Sequence, residues 1–380
     1  MDFEWSEDQL LLRDSVRDFA SRLDHDVMGH DAGGIFPMSA WKRCAEFGIQ
    51  ALAVPNDYGG TGASPLSLVL AMEALGYGCR DSGLLFALNA QMWACQHPIV
   101  QFGSEEQKQR YLPRFADGSL IGSHAMSEPG SGSDAFSLST TAERHGEKFV
   151  INGSKTFVTN APAAGLFVLF ARTDTSETLG GLTAFLVERD VAGLSVGRPL
   201  QKMGLRTAPM SEVFLSDCVV PANSVLGGVG GGMMVFNEAM ELERSLILAC
   251  TVGIMERNLE RCVTYARERR QFNRSIAKFQ AVSHRIAEMK VRLETSRLLL
   301  YRLGWKLERG HNVGLDSALV KLHLSESYLA SSLEALQVHG GYGYMSEYEF
   351  ERDVRDAIGS RLYSGTSDMQ RNLIARHLSL

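Results

Sequence analysis

Apolar residues recur at spacings of three and four over the first third of the chain, beginning with the segment 10–19. This spacing predicts amphipathic helices, and Ser6, followed by two acidic residues, predicts the start of the first helix. From about residue 121 the pattern changes to short apolar runs separated by turns, which predict strands. Helical spacing returns after the glycine-rich segment 227–232. The predicted domains are residues 1–121, 122–228 and 229–380, in the order helices, strands, helices.

The strand-rich section contains one strong local signal. Asn152 and Gly153 separate the apolar runs 149–151 and 155–159, a pattern that predicts a β-hairpin with its turn at Asn-Gly. Further short runs at 166–171, 182–187 and 212–215 complete the pattern. Their spacing predicts a small antiparallel barrel or sandwich, and we expect a β-barrel in a mainly α protein.

The segment 236–250 carries a carboxylate in an unusual position. If it is helical, Phe236, Met240, Ile247 and Cys250 form one apolar stripe, and Glu243 lies in the middle of it. Burial would raise the pKa of such a carboxyl group toward neutrality, which suits a general base. A glutamate paired with Arg244, or reaching solvent, explains the same spacing, so this segment alone does not decide the role of Glu243.

Composition excludes several classes of function. The chain has 380 residues, 45% of them hydrophobic, and a net charge of -6, which argues against a generally basic surface for nucleic acid. The six cysteines include no C-x-x-C pair, so we predict neither a metal site nor a disulfide framework. The longest apolar run, 246–255, is too short to span a bilayer, and the acidic N-terminus lacks a signal-peptide core. We therefore expect a cytoplasmic protein without membrane contact.

Several segments place polar side chains beside glycines or aromatic rings. Segment 126–134 (MSEPGSGSD) suits close approach of a ligand, although a surface turn explains it equally well. In 157–160 (FVTN), an aromatic ring and a hydroxyl group on one strand face could hold a planar cofactor or simply pack in a core. The arginines of 267–272 could bind phosphate or form a solvated helix end. Segments 337–343 and 364–370 could hold an anion at a helix start.

Taken together, these motifs resemble those of the acyl-CoA dehydrogenase family over the whole chain. The matching segments are 127–134 (SEPGSGSD), 157–160 (FVTN), 268–272 (ERRQF), 337–343 (QVHGGYG) and 365–367 (GTS). The resemblance implies a helical domain, a β-barrel domain and a four-helix C-terminal domain. It also implies FAD as cofactor and a homo-oligomer, usually a tetramer.

The resemblance assigns the cofactor contacts residue by residue. Contacts to the flavin ring are expected from Met126, Ser127, Phe157 and Thr159, with Ser133 near a flavin phosphate or the substrate. Contacts that reach a neighbouring subunit are expected from Arg269, Gln271, Phe272 and Gln280. The FAD diphosphate is expected at Gln337, Gly340 and Gly341, and the adenine half near Thr366 and Ser367.

The expected chemistry is α,β-dehydrogenation of a thioester, but the chain departs from the commonest family pattern. Most relatives have the catalytic glutamate immediately before Gly-Thr, where this chain has Ser364. A serine cannot act as the base without a second base, although its backbone N–H can still bind the thioester carbonyl. In a minority of the family, the base lies on the helix that opens the C-terminal domain. That position aligns with Glu243, followed by Arg244, so the resemblance implies Glu243 as base.

Finer resemblance concerns the carrier of the acyl group. Segments 78–84, 94–99 and 364–370 resemble those of dehydrogenases that act on acyl or prolyl groups held on acyl or peptidyl carrier proteins in secondary metabolism. Relatives with prolyl substrates often have Trp before the base, where this chain has Leu242. The alternatives are a dehydrogenase of short or branched acyl-CoA and a flavin-dependent oxidase or monooxygenase. The electron acceptor is expected to be an electron-transferring flavoprotein or oxygen.

Overall fold

The computed structural model describes residues 4–23, 26–174 and 181–380. The N-terminal helices, in chain order, are α1 (Glu7–Ser21), α2 (Val27–Gly33), α3 (Met38–Phe47), α4 (Pro65–Gly78), α5 (Ser82–Gln91), α6 (His97–Phe102) and α7 (Glu105–Ala116). A π-helical turn, Met92–Gln96, joins α5 to α6. Helix α1 begins at Ser6 as predicted, because the Ser6 hydroxyl accepts from the Gln9 N–H and the Gln9 side chain accepts from the Ser6 N–H.

The strands, in chain order, are β1 (Gly122–Ala125), β2 (Thr141–His145), β3 (Lys148–Thr159), β4 (Leu166–Arg172), β5 (Leu182–Glu188), β6 (Leu194–Val196), β7 (Met210–Pro221) and β8 (Val225–Leu226). They form one sheet in the order β6-β7-β3-β2-β4-β5-β8, with β1 added beside β4. The β1–β4 and β2–β4 pairs are parallel, whereas the other pairs are antiparallel.

The expectation of an antiparallel barrel is therefore wrong in two respects: the sheet is mixed, and it is not closed. Within the described residues, the edge strands β6 and β8 do not pair with each other. The physical reason is that these strands have three and two residues, too few for a closing ladder. In addition, β1 and β2 share one edge of β4, so that β2 joins β4 only at Thr141 and Arg172.

The predicted hairpin at Asn152-Gly153 is also wrong. Both residues lie inside the continuous strand β3, where the register against β7 shifts between Ile151 and Gly153. Gly153 has φ +151°, and a Cβ atom there would lie 2.4 Å from Oγ1 of Thr140. The Asn152 side chain exchanges hydrogen bonds with Asp217 on β7. The register shift places two β7 residues, Ser216 and Asp217, opposite Asn152, so the bulge lies on β7. Gly153 leaves room for Thr140, and tertiary packing thus overrides the local turn preference of the Asn-Gly pair.

The C-terminal helices, in chain order, are α8 (Gly232–Leu246), α9 (Ala249–Glu268), α10 (Gln280–Glu308), α11 (Gly314–His339), α12 (Gly341–Tyr344), α13 (Phe350–Gly359) and α14 (Ser367–His377). A small ribbon of β9 (Arg270–Gln271) and β10 (Arg274–Ser275) joins α9 to α10. Helix α11 packs against α8, α9 and α10 and so holds the long helices together. Among the described helices, none is long and apolar enough to cross a membrane.

Two glycines bring the N-terminal and C-terminal helices into close contact. A Cβ atom on Gly76 of α4 would lie 1.9 Å from the carbonyl oxygen of Cys250 on α9. A Cβ atom on Gly253 of α9 would lie 2.0 Å from the carbonyl oxygen of Glu73 on α4. Because only glycine permits this separation, α4 packs directly on the helix that follows α8. The N-terminal helices therefore help to fix the position of the α8–α9 junction.

Candidate active site

Helix α8 places Glu243 on its buried face. Phe236, Met240, Glu243, Ile247 and Cys250 are each less than a tenth exposed, so the predicted stripe is confirmed. The helix does not run through the whole segment, because it ends at Leu246 and α9 begins at Ala249. Glu243 is 8% exposed, which excludes the solvent-facing alternative.

The connection between α13 and α14 brings Ser364 to Glu243. Ser364 and Gly365 both have positive φ, +54° and +86°, which turns the chain sharply before Thr366 caps α14. The Ser364 hydroxyl donates a 2.5 Å hydrogen bond to Oε1 of Glu243. Gln370 of α14 steadies the turn by donating to the Gly365 carbonyl at 2.9 Å. Sequence reasoning gave a role only to the backbone of Ser364, and the structure adds its side chain.

Burial dominates the electrostatics of this site. Burial raises the pKa of Glu243 to about 7, and the Ser364 hydrogen bond, Arg244 and Lys321 all act in the opposite direction. Both the protonated and the ionised form of Glu243 are therefore accessible near neutral pH. Arg244 Nε and Lys321 Nζ are buried and have no hydrogen-bond partner within the described part of the chain. The Glu243 carboxylate thus shares its surroundings with two cationic nitrogens that make no hydrogen bond to the described residues.

A second group of predicted residues meets beside β3. Lys155 Nζ donates to the Met126 carbonyl at 3.2 Å, and the Thr156 N–H donates to the Ser127 carbonyl at 2.9 Å. The strand then presents Phe157, which has φ +54° and is 66% exposed. The Thr159 carbonyl accepts from the Ser123 hydroxyl on β1. The structure therefore brings Met126, Ser127, Phe157 and Thr159 together.

This group adjoins the helix that carries Glu243. The Met126 side chain belongs to the same buried apolar core as Phe236 and Met240, which lie two turns and one turn before Glu243, respectively. The ring centre of His124, on β1, lies 6.1 Å from the ring centre of Phe236. One apolar core thus connects Met126, beside the exposed Phe157 strand, to the helix that carries Glu243.

A third group lines an open cavity of about 490 Å³ at the end of α11. Arg269 and Gln271 contribute from the end of α9 and from β9, and Gly340 and Gly341 contribute from the α11–α12 junction. Arg269 lies 5.7 Å from the ring centre of Tyr342. A Cβ atom on Gly341 would meet nothing within 4 Å, so the glycine leaves open space. The cavity combines a guanidinium group with a backbone free of side chains, which suits a phosphate-bearing ligand.

The remaining predicted contacts lie outside both the group beside β3 and the cavity at the end of α11. Phe272 is 87% exposed at a turn with φ +50°, and Gln280 and Gln337 are exposed without lining the cavity. Ser133 is exposed in the loop between β1 and β2. The Thr366 hydroxyl accepts from the Met369 N–H as the cap of α14, next to the buried Ser367. The structure does not bring these residues to Glu243.

One ion pair and one further buried lysine were missed by sequence reasoning. Lys155 and Glu128 form a fully buried ion pair of 2.7 Å, which ties the 126–134 loop to β3. Lys321 of α11 is also fully buried, close to Glu243. The signal for Lys321 was available, because it interrupts the apolar run 318–322. A charged residue within such a run calls for a buried partner.

Comparisons with known proteins agree with this architecture. Three family models match the chain: the acyl-CoA dehydrogenase N-terminal domain at residues 6–119, the middle domain at 123–218 and the C-terminal domain at 230–379. An L-prolyl-[peptidyl-carrier protein] dehydrogenase of Pseudomonas fluorescens is 44% identical over 93% of both chains.

Solved structures give the same result. The crystal structure of the prolyl acyl carrier protein oxidase AnaB is 45% identical, covers 99% of this chain and 100% of its own, and has a TM-score of 0.98. The structure of PigA with FAD and proline is 38% identical, covers 100% of both chains, and has a TM-score of 0.97.

Proposed function

The chain belongs to the acyl-CoA dehydrogenase family, and we propose that it catalyses FAD-dependent α,β-dehydrogenation of an acyl or aminoacyl thioester tethered to a carrier protein. The observation that carries the proposal is the buried carboxyl group of Glu243, bonded to Ser364 where most relatives have their base. A carboxyl group with a pKa of about 7 is suited to remove a proton at neutral pH.

The described residues fit FAD at both candidate positions. Phe157 offers an exposed aromatic face beside Met126 and Ser127, which suits a planar ring. Arg269 and the open Gly341 backbone suit a diphosphate. We therefore propose that the first group holds the flavin and that the second holds the diphosphate. When bound, FAD supplies the acceptor for the hydride that leaves the β-carbon.

The protein's own groups account for the other half of the reaction. Glu243 takes the α-proton, and its carboxylate form is favoured by the Ser364 hydroxyl and the nearby cations. The negative charge that develops on the thioester carbonyl needs a donor. The Ser364 N–H donates to no acceptor among the described residues, so it is available for that carbonyl. Its left-handed conformation holds the N–H in place at a modest cost in backbone strain.

We propose a small acyl group, on the premise that its tail enters a small cavity near the α8–α9 junction that Glu243 itself does not line. A cavity of about 20 Å³ lies between α5 and the α8–α9 junction, beside Tyr363. Ile247, one turn after Glu243, forms part of its wall, together with the polar side chains of Asn89 and Thr251. Such a space holds about one water molecule and leaves no room for a long apolar tail.

A carrier-bound substrate is our first proposal because of the relatives. The Pseudomonas fluorescens dehydrogenase and AnaB are both described by a prolyl group on a carrier protein. Leu242 stands where relatives with prolyl substrates often have Trp, so the proposal extends to other small aminoacyl or acyl groups. The family models and a relative described as a short-chain-specific acyl-CoA dehydrogenase support a second candidate, a short or branched acyl-CoA.

The proposed assembly is a cytoplasmic homo-tetramer. Phe272 supports subunit contact, because a large apolar side chain that is 87% exposed beside the Arg269 cavity is suited to reach a neighbouring copy. We propose an electron-transferring flavoprotein or oxygen as acceptor. AnaB is described as an oxidase, which supports oxygen as one of the two.

The base assignment is tested with Glu243→Gln in the FAD-bound protein. Anaerobic mixing with a prolyl or butyryl carrier-protein thioester should bleach the flavin of the wild type. In the variant, bleaching should be slower by about 10²-fold or more while FAD stays bound. Glu238→Gln is the matched control, because Glu238 lies on the same helix but is half exposed. Normal bleaching in Glu243→Gln would contradict the assignment.

The carrier assignment needs a separate comparison. The same acyl group is presented on CoA and on a free-standing carrier domain, and kcat/KM is measured for each. We expect the carrier thioester to be preferred by at least about tenfold. Equal or better turnover of the CoA ester would favour the second candidate.

A further inference from the structure

Lys321 is a buried cation without an evident structural partner. Its side chain is fully buried on α11, and its Nζ donates no hydrogen bond to any described residue. Burying an unpaired ammonium group costs free energy, so such a group calls for a reason. Contact with Tyr363 does not by itself offset this cost. Nζ lies 5.9 Å from the Tyr363 ring centre, at the outer limit of a cation–π contact.

The packing of α11 directs the helix face that carries Lys321 toward the site of Glu243. One turn before Lys321, the Ser317 hydroxyl lies 2.8 Å from that of Ser245, two residues after Glu243 on α8. One turn after Lys321, the Ser325 carbonyl accepts from the Ser360 hydroxyl, in the connection that leads to Ser364. Lys321 therefore lies between the two segments that supply Glu243 and Ser364.

The charged groups around Lys321 leave Glu243 as its counter-charge. Glu326, one turn further on α11, is engaged by Arg361 at 3.0 Å and by Arg371 at 3.6 Å. Arg244 of α8 and Arg361 are cations that oppose the charge of Lys321, whereas Glu243 and Glu326 favour it. Tyr363 is a neutral phenol, because burial raises its pKa far above the neutral range. Glu243 is the buried carboxylate in this group that no cation binds directly.

We propose that Lys321 is a positioning residue whose buried ammonium group faces Glu243 and keeps this carboxylate ionised for proton removal. The proposal rests on the proposed function, in which Glu243 is the base. The α-proton can be taken only by the carboxylate form, which burial alone disfavours. Arg244 and Lys321 together carry one more charge than the Glu243 carboxylate neutralises. The site near the thioester therefore stays positive when the thioester carbonyl becomes negative.

Electrostatics agrees with this geometry in both directions. The charge of Lys321 lowers the pKa of Glu243, against the effect of burial. Burial, with Arg244, lowers the pKa of Lys321 to about 7, while Glu243 raises it. The two groups therefore titrate as a coupled pair near neutral pH, and each charge favours the other.

The first test measures the Glu243 carboxyl group directly. Infrared difference titration of the FAD-bound protein follows the protonated carboxyl band that is absent in Glu243→Gln. In Lys321→Met, which keeps the length of the side chain but removes its charge, the midpoint should rise by about one pH unit or more. In Lys321→Arg it should stay within about half a unit of the wild type. A wild-type midpoint in a folded Lys321→Met variant would overturn the proposal.

The second test uses the pH dependence of flavin reduction by substrate. The pH at which the rate of flavin reduction is half-maximal on the acidic side should be higher in Lys321→Met than in the wild type, and close to the wild-type value in Lys321→Arg. Lys290 is a surface lysine paired with Glu294, so Lys290→Met should leave this pH unchanged. If Lys321→Met does not fold, Lys321→Gln serves in both measurements with the same expected shift. A uniform loss of rate without a shift would mean a packing role only and would overturn the proposal.

The two proposals fail separately in these experiments. If Glu243→Gln bleaches normally, Glu243 is not the base, yet the infrared midpoint still reports whether Lys321 controls its ionisation. If the midpoint is unchanged in Lys321→Met while Glu243→Gln is inactive, the base stands and Lys321 has no part in its ionisation.

Discussion

The Ser364 hydroxyl donates a 2.5 Å hydrogen bond to Oε1 of Glu243, joining residues 121 positions apart in the chain. In our proposal, Glu243 carries the carboxyl group that acts as base, and Ser364 stands at the position where the family resemblance places the base of most relatives. The substitution at one position and the carboxylate at the other are therefore parts of one site. The bond also lowers the pKa of Glu243, so Ser364 affects the ionisation of the proposed base.

Ser364→Ala should change the pH dependence of the reaction more than its maximal rate. Loss of the hydroxyl raises the pKa of Glu243, so activity should fall several-fold near pH 6 and little near pH 8.5. Flavin reduction measured across this range gives the midpoint. Ser364→Gly is the matched control, because it removes the same hydroxyl but accepts the left-handed backbone of φ +54°. Different midpoints in the two variants would contradict a role for the hydroxyl.

Glu243 should lower the stability of the protein at high pH. Its pKa is about 7 in the folded protein against an ordinary value of 4.5, so the folded state holds the proton more tightly. Ionisation therefore destabilises the fold as the pH rises from 4.5 through 7. Glu243→Gln should raise the free energy of unfolding by about 3 kcal/mol near pH 8.5 and by under about 1 kcal/mol near pH 5.

Urea unfolding at the two pH values measures this difference. Glu238→Gln should show no such gain, because the imidazole of His97, 3.6 Å from the Glu238 carboxylate, lowers the pKa of Glu238 instead. Equal stabilisation by Glu243→Gln at both pH values would point to packing rather than ionisation.

The buried pair of Lys155 and Glu128 should be strongly stabilising only as a pair. Burial raises the pKa of Glu128, but Lys155 and the hydrogen bonds from Ser139 and Thr140 lower it to about 2. Lys155→Met would leave that carboxylate buried and unpaired, at a cost of about 3–5 kcal/mol. Urea unfolding should detect this loss, and Glu128→Gln with Lys155→Met should recover most of it.

A surface pair provides the control for this prediction. Arg110 and Glu188 are joined at 2.7 Å, but both side chains are more than a third exposed. Arg110→Met should therefore cost under about 1 kcal/mol. If Lys155→Met costs no more than Arg110→Met, the buried pair does not hold the 126–134 loop against β3.

Gly341→Ala should weaken FAD binding without harming the fold. A Cβ atom at this position meets no protein atom within 4 Å, so the apo protein should unfold within about 0.5 kcal/mol of the wild type. The added methyl group would occupy the space proposed for the diphosphate, and the Kd for FAD should rise by about tenfold or more. Fluorescence titration of the apo protein with FAD measures this Kd. Arg267→Ala, an exposed arginine outside the cavity, should leave it unchanged.

Much of the local structure was predictable because it depends on neighbours along the chain. Ser6 starts α1 through a capping box formed with Gln9, three residues later. The apolar stripe around Glu243 follows from the helical repeat, which puts residues three and four apart on one face. The predicted hairpin failed because the turn preference of Asn152 and Gly153 was weaker than the packing of Thr140 and Asp217 against β3.

The sequence by itself determined the order of helices and strands, the family motifs and the apolar stripe that contains Glu243. Only the tertiary structure decided that the sheet stays open, that the Ser364 hydroxyl meets Glu243 and that Lys321 faces the same site. These features depend on the packing of α8 against α11 and on the turn after α13, which join distant segments of the chain. Periodicity reports which face of a helix is buried, but the partner that covers it is set by the packing of whole elements.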